Sequence, residues 1–145
     1  MDIASVEGIG AKKVKITVDS GAGLSVWPVS WACPGEVKPS ARRVRLEAAN
    51  GTAIKVHGEK VVNFVTEKRE NCEMNFVVTD VTKPLAAVSA IVAAGSDVVF
   101  TPGRFGSYIQ NKATGTNIDL TCENGTYTME VEINGLDFQR QAEAR

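Results

Sequence analysis

Histidine is nearly absent from this chain, aromatic residues are scarce, and neither sign of charge prevails. Its 145 residues contain one histidine, His57, so a Ser-His-Asp or Cys-His catalytic unit would have only that imidazole to use. The serine context Gly23-Leu-Ser-Val-Trp27 lacks the final glycine of a nucleophile elbow, and His57 reads instead as a surface residue on a hairpin strand. Cysteine is confined to Cys33, Cys72 and Cys122. An odd, widely spaced set fits reduced buried thiols better than a disulfide framework or a zinc site. With a single histidine and scattered thiols, no metal and no cofactor is expected. The net charge is −1 with both signs dispersed, so the basic stripe that neutralises phosphates is missing and no nucleic-acid partner is expected. No apolar run approaches the ~20 residues of a membrane helix. Met1-Asp-Ile-Ala-Ser-Val-Glu-Gly8 lacks the positive start and apolar stretch of a signal peptide. The expectation is a cytoplasmic chain with no membrane partner. Gly8-Ile-Gly-Ala-Lys-Lys13 lacks the last glycine of a dinucleotide fingerprint and precedes a strand rather than a helix.

What the chain does have is an ordinary globular balance, 43% hydrophobic and 23% charged with 6% aromatic, and enough length to bury about 70% of its unfolded surface as one domain. The pattern predicts an all-β fold with one short helix. In Lys13-Val-Lys-Ile-Thr-Val-Asp-Ser-Gly-Ala22, Val14, Ile16 and Val18 share one strand face with Lys13, Lys15 and Thr17 opposite. The strand is therefore half buried and delivers Asp19 at its end, where Gly21 permits a tight turn. Val44 to Gly58 reads as two strands around Asn50-Gly51. Val61 to Val65 and Glu73 to Thr79 pair across the charged turn Glu67-Lys-Arg-Glu-Asn71. Pro84 to Phe100 reads as strand, short helix, glycine stop and strand. Beyond it, Ser107 to Gln110, Asn117 to Thr121 and Tyr127 to Ile133 make about three further strands around turns at Lys112 to Gly115 and Asn124-Gly125. Their alternating apolar residues predict one buried face. Residues 1–11 read as a flexible lead-in, 12–100 as the core, 101–135 as a β extension and 136–145 as a tail. Trp27 and Trp31 read as packing residues.

Taken together, Asp19-Ser-Gly-Ala22, the glycine-tipped hairpin some thirty residues later and the strand-helix-strand after it resemble the retropepsin family. These are the single-lobed aspartic proteases of retroviruses and retrotransposons, and the resemblance covers roughly residues 12–100. The family usually carries an Ile/Leu-Leu-Gly-x-Asp-like segment before the short helix. Here Ala86-Ala-Val-Ser89 stands there, with Ala87 for the glycine and Ser89 for the aspartate. A version of this kind, followed by a helix, a glycine and Val98-Val-Phe100, looks more like the proteins of Copia-type elements. The strands after Phe100 are a second departure.

The resemblance implies an aspartic endopeptidase acting on an extended peptide or polyprotein, with Asp19 as acid and base. It implies that Ser20 brackets a partner strand through its hydroxyl and that Gly21 and Ala22 give backbone access to substrate. Ala49, Asn50 and Gly51 would form a flap tip that closes over the peptide. Val18, Leu24, Leu85, Val88 and Ile91 serve either as pocket walls or as core. A single Asp-Ser-Gly is half a site, so a homodimer is implied, with the residues after Phe100 forming or bracing its interface. The alternative is a catalytically inactive retropepsin-fold module that binds peptides or dimerises.

Overall fold

The computed structural model describes residues 10–40, 46–48 and 50–138. Residues 1–9 of the lead-in, Ala49 of the hairpin tip and residues 139–145 of the tail lie outside the described set. Among the described residues the chain is predominantly β, and Val88–Ala93 forms one short helix.

The strand face expected for β1 (Ala11–Asp19) is the buried one: Val14, Ile16 and Val18 are 8%, 0% and 3% exposed. Apolar residues at every second position can leave water only if something covers that face. What covers it is a barrel. β1 runs parallel to β8 (Leu85–Ala87) on one edge and antiparallel to β12 (Thr126–Asn134) on the other. Between them the order is β8, β2 (Val26–Pro28), β7 (Asn71–Thr79), β6 (Val56–Thr66), β12, which closes the ring. β12 divides its second edge: Thr126 to Thr128 pair with β11 (Asn117–Glu123), whereas Val131 and Glu132 pair with β6. From β11 the sheet continues through β10 (Ser107–Asn111) to β9 (Ser96–Val99), its last strand.

The strands after Phe100 are therefore continuous with the core. Ile109, Leu120, Met129, Val131 and Ile133 pack in one cluster with Ile16, Val62, Phe76 and Ala86. Leu136 at the start of the tail is buried in the same cluster, and β13 (Asp137–Phe138) pairs with β3 (Trp31–Ala32). Trp27 is fully buried against Phe76 and donates its indole N–H to the Trp31 carbonyl at 2.8 Å, so its one polar atom is satisfied inside the core.

Two expectations are corrected. Among the described residues the hairpin consists of β4 (Leu46–Glu47) and β5 (Ala53–Ile54), with Val44 and Arg45 outside the described set, and His57 is not one of its residues. A register shift between Val56 and Gly58 diverts the chain onto β7. The close approach of the Lys38 carbonyl, into which a Cβ at position 58 would run, then requires Gly58, at φ +143°. His57 lies on β6 and meets the Asp80 carboxylate at 2.7 Å. The three thiols are free, as expected, but half-buried rather than buried.

Candidate active site

Asp19 is the last residue of β1, and the local chemistry fixes its carboxylate. Its Oδ1 accepts the backbone N–H of Gly21 at 2.7 Å, an Asx-type turn that folds the chain back after Ser20. A Cβ at position 21 would stand 3.4 Å from the same oxygen, so glycine keeps the carboxylate accessible. Among the described residues no hydrogen bond engages the second oxygen, Oδ2. Asp19 is half-buried, Ser20 and Gly21 are exposed, and Ala22 and Leu24 are half-buried.

The wall beside the turn is β8. Thr17, Val18 and Asp19 pair in parallel with Leu85, Ala86 and Ala87, so Ala87 is set directly against the carboxylate-bearing residue. The serine of Gly23-Leu-Ser-Val-Trp27, which the sequence offers only as a poor nucleophile, holds that wall. Ser25 is 4% exposed, accepts the Ala87 N–H on Oγ at 2.9 Å, and gives its carbonyl to the Val77 N–H at 2.9 Å. It therefore ties β8 to β7, as a buried hydroxyl with good partners can. Its only sequence signal is a serine inside an apolar run four residues after Gly21. After Ala87 the chain enters α1 (Val88–Ala93), which has no side-chain cap and ends at Gly95, φ +107°. Val18, Ala86 and Ile91 belong to the core, and Leu85 and Val88 are half-buried.

On the other side of β1, Val18 pairs with Tyr127, whose ring packs on Phe100 with centroids 4.5 Å apart. This aromatic pair flanks the Asp19 turn and was also not singled out from sequence.

The hairpin tip is a loop wider than an Asn-Gly turn. Gly51 donates to the Ala48 carbonyl at 2.9 Å, Ala48 donates to Thr52 at 2.8 Å, and Asn50 Oδ1 accepts the Thr52 N–H at 2.9 Å. Among the described tip residues Gly51 alone takes the left-handed conformation, φ +86°, and a Cβ there would meet nothing within 4 Å. Asn50 and Gly51 are exposed. Among the described residues no hydrogen bond joins this hairpin to the Asp19 turn.

Two clefts, of about 300 and 210 Å³, lie elsewhere. They share Val65 and Glu132, and the larger reaches Lys13, about 20 Å of strand from Asp19. Five other described carboxylates are ion-paired, Asp80 with His57, Asp97 with Lys112, Asp119 with Lys68, Glu123 with Lys15 and Arg104, and Glu132 with Arg69. Among the described residues no cluster suited to a metal occurs, and no helix is long and apolar enough to cross a membrane. Comparison with family models, with curated proteins and with solved structures yields no match.

Proposed function

We propose that this chain is one half of a homodimeric aspartic endopeptidase of the retropepsin type, cutting an extended polypeptide such as the precursor of a retrotransposon-like element. The observation that carries the reading is the Asp19 turn: a carboxylate at the end of a buried strand, with one oxygen held by Gly21 N–H at 2.7 Å and the other without a hydrogen bond among the described residues. One carboxylate cannot serve as acid and base at once, so the second comes from a symmetry mate. Two carboxylates held together cannot both ionise; one keeps its proton while the other takes a proton from water. The water oxygen then bonds to the scissile carbonyl carbon, and the protonated carboxyl gives its proton to the carbonyl oxygen. Collapse of the tetrahedral diol breaks the C–N bond, and the leaving amine receives the proton first taken from water.

In this reading Ser20, exposed beside Asp19, bonds across the dimer axis. The β4–β5 hairpin closes over a substrate whose main chain pairs like an added strand. The deciding experiment is Asp19→Asn, a nearly isosteric change whose amide cannot accept and return the proton. Cleavage of a peptide library is expected to vanish while the circular dichroism and thermal midpoint stay close to those of the parent. Undiminished cleavage by the purified variant would sink the mechanism.

A further inference from the structure

We propose that Asn124 is a site of spontaneous deamidation, and that its isoaspartyl product undoes the turn that closes β11 onto β12. The sequence holds three Asn-Gly pairs, Asn50-Gly51, Asn124-Gly125 and Asn134-Gly135. Asn-Gly is the dipeptide most open to this reaction, because glycine has no side chain to shield the amide nitrogen that attacks and leaves the backbone free to reach the geometry of attack. All three pairs are exposed, so exposure does not separate them. Hydrogen bonding does.

At position 50 both reacting groups are engaged: Asn50 Oδ1 accepts the Thr52 N–H at 2.9 Å, and the Gly51 N–H donates to the Ala48 carbonyl at 2.9 Å. At position 134 the Gly135 N–H donates to the Gly10 carbonyl, and Pro34 packs so close that a Cβ at 135 would stand 2.9 Å from its Cγ. The third pair has no such ties. Asn124 and Gly125 form the two-residue turn between β11 and β12, both left-handed at φ +53° and +78°. Among the described residues the Gly125 N–H has no backbone acceptor, no hydrogen bond engages the Asn124 side chain, and a Cβ at 125 would meet nothing within 4 Å. The turn ends a short ladder, Thr121 to Glu123 against Thr126 to Thr128, so local opening brings the Asn124 side chain onto the next amide at little cost.

Water is the only co-reactant. The Gly125 nitrogen gives up its proton to base and bonds to Asn124 Cγ. The Cγ–Nδ2 bond then breaks, and the departing nitrogen takes up a proton and leaves as ammonia, giving a five-membered imide. Water adds to one of its two carbonyls. Opening at Cγ leaves aspartate, whereas opening at the main-chain carbonyl leaves isoaspartate, in which the chain runs through Cβ and is longer by one carbon. A two-residue turn sets the register of its strands through the positive φ of both residues, and the extra carbon destroys that fit. Glu123 and Thr126 are the rung beside the turn, and Tyr127, which follows, is the ladder partner of Val18 next to Asp19. The new carboxylate also stands beside Glu123 in the chain, whose own carboxylate is held by Lys15 and Arg104.

The test is incubation of the purified protein at mildly alkaline pH, followed by peptide mapping with mass spectrometry and by labelling with an isoaspartyl methyltransferase. Conversion at Asn124 is expected to run about tenfold faster than at Asn50 or Asn134, the difference that one or two hydrogen bonds supply. Asn124→Gly keeps a residue suited to the left-handed turn and should remove the fast acidic conversion while the thermal midpoint is held. In the isolated isoaspartyl form, hydrogen exchange at Thr126 N–H is expected to be faster than in the parent, whereas the amides of β6 and β7 keep their protection. An Asn124 that stays intact, or that converts no faster than Asn50 and Asn134, overturns the site. An isoaspartyl form with Thr126 as protected as in the parent overturns the effect on the turn.

Discussion

The chain contains two hairpins that look alike in sequence and differ in everything behind them. β6 and β7, of eleven and nine residues, form a wall of the barrel, with Val62, Phe64, Phe76 and Val78 at most 3% exposed. β4 and β5 have two residues each, form a sheet of their own, and leave Glu47 and Ala53 exposed. Both turns are well made: the long hairpin closes with mutual bonds between Thr66 and Glu70 and a left-handed Arg69, the short one with the Asn50 and Gly51 contacts. Turn chemistry therefore specifies where the chain reverses, and apolar burial decides how firmly the hairpin is held. A two-stranded hairpin without a core is marginal in water, which suits the opening and closing that the proposed flap role requires.

The largest expected effect comes from breaking the firm hairpin. Phe76→Ala removes a ring packed 5.1 Å from Trp27 and is expected to cost about 3–5 kcal/mol, read as a lower urea midpoint. Ile54→Ala in the short hairpin, where the side chain is half-buried, should cost under about 1 kcal/mol. Equal losses would mean that the two hairpins share one cooperative core and that the contrast is false.

A smaller effect, on activity rather than stability, is expected of Gly51→Val. The added side chain meets open space, so the penalty is the strain of φ +86°, about 1–2 kcal/mol for a residue with a Cβ. That strain falls on a segment carrying little of the fold. Global unfolding should barely move, while peptide turnover should fall roughly tenfold if the tip has to hold its shape over the substrate. Unchanged turnover would show that this hairpin is not a flap.

Local order was legible in the sequence and long-range pairing was not. The alternation of Val14, Ile16 and Val18, the charged turn before Asn71, and the glycine stop at Gly95 each report a local physical requirement, and each appears in the structure as expected. The buried face of the later strands was equally readable. What covers it was not, because the pairing of Lys13 with Glu132 and Val18 with Tyr127 joins residues more than a hundred apart, and a period of two says nothing about partners. The hairpin was drawn too long for a related reason: the residues after Ile54 alternate suitably for either partner, and only the irregularity at Gly58 sends them to β7. At the site, Asp19 and Gly21 were readable from the turn itself. Ser25, Phe100 and Tyr127 were not, since their relation to Asp19 exists only across the sheet.

The smallest effect sharpens the comparison through pH. The long hairpin and its surroundings hold thiols that the short one lacks. Burial pushes the Cys33 thiol above its usual value, with the Lys60 ammonium working against the shift, and burial together with the Glu70 carboxylate pushes up Cys72 on β7. Both raised shifts favour the neutral thiol in the folded chain. Above the ordinary thiol value of 9.0 the unfolded chain has released these protons and the folded chain still holds them. Stability is therefore unaffected by these groups below that pH and falls as pH rises beyond it. The expected outcome is a lower urea midpoint just above pH 9 than just below it, with the drop reduced in Cys33→Ala and in Cys72→Ala. Because both thiols are about half exposed to water, the change should be small against that of Phe76→Ala. The β4–β5 hairpin has no such group, so turnover lost through Gly51→Val should show no matching dependence on either cysteine. If removing both thiols leaves the alkaline drop intact, ionisation elsewhere drives it, and burial around the long hairpin is looser than its packing indicates.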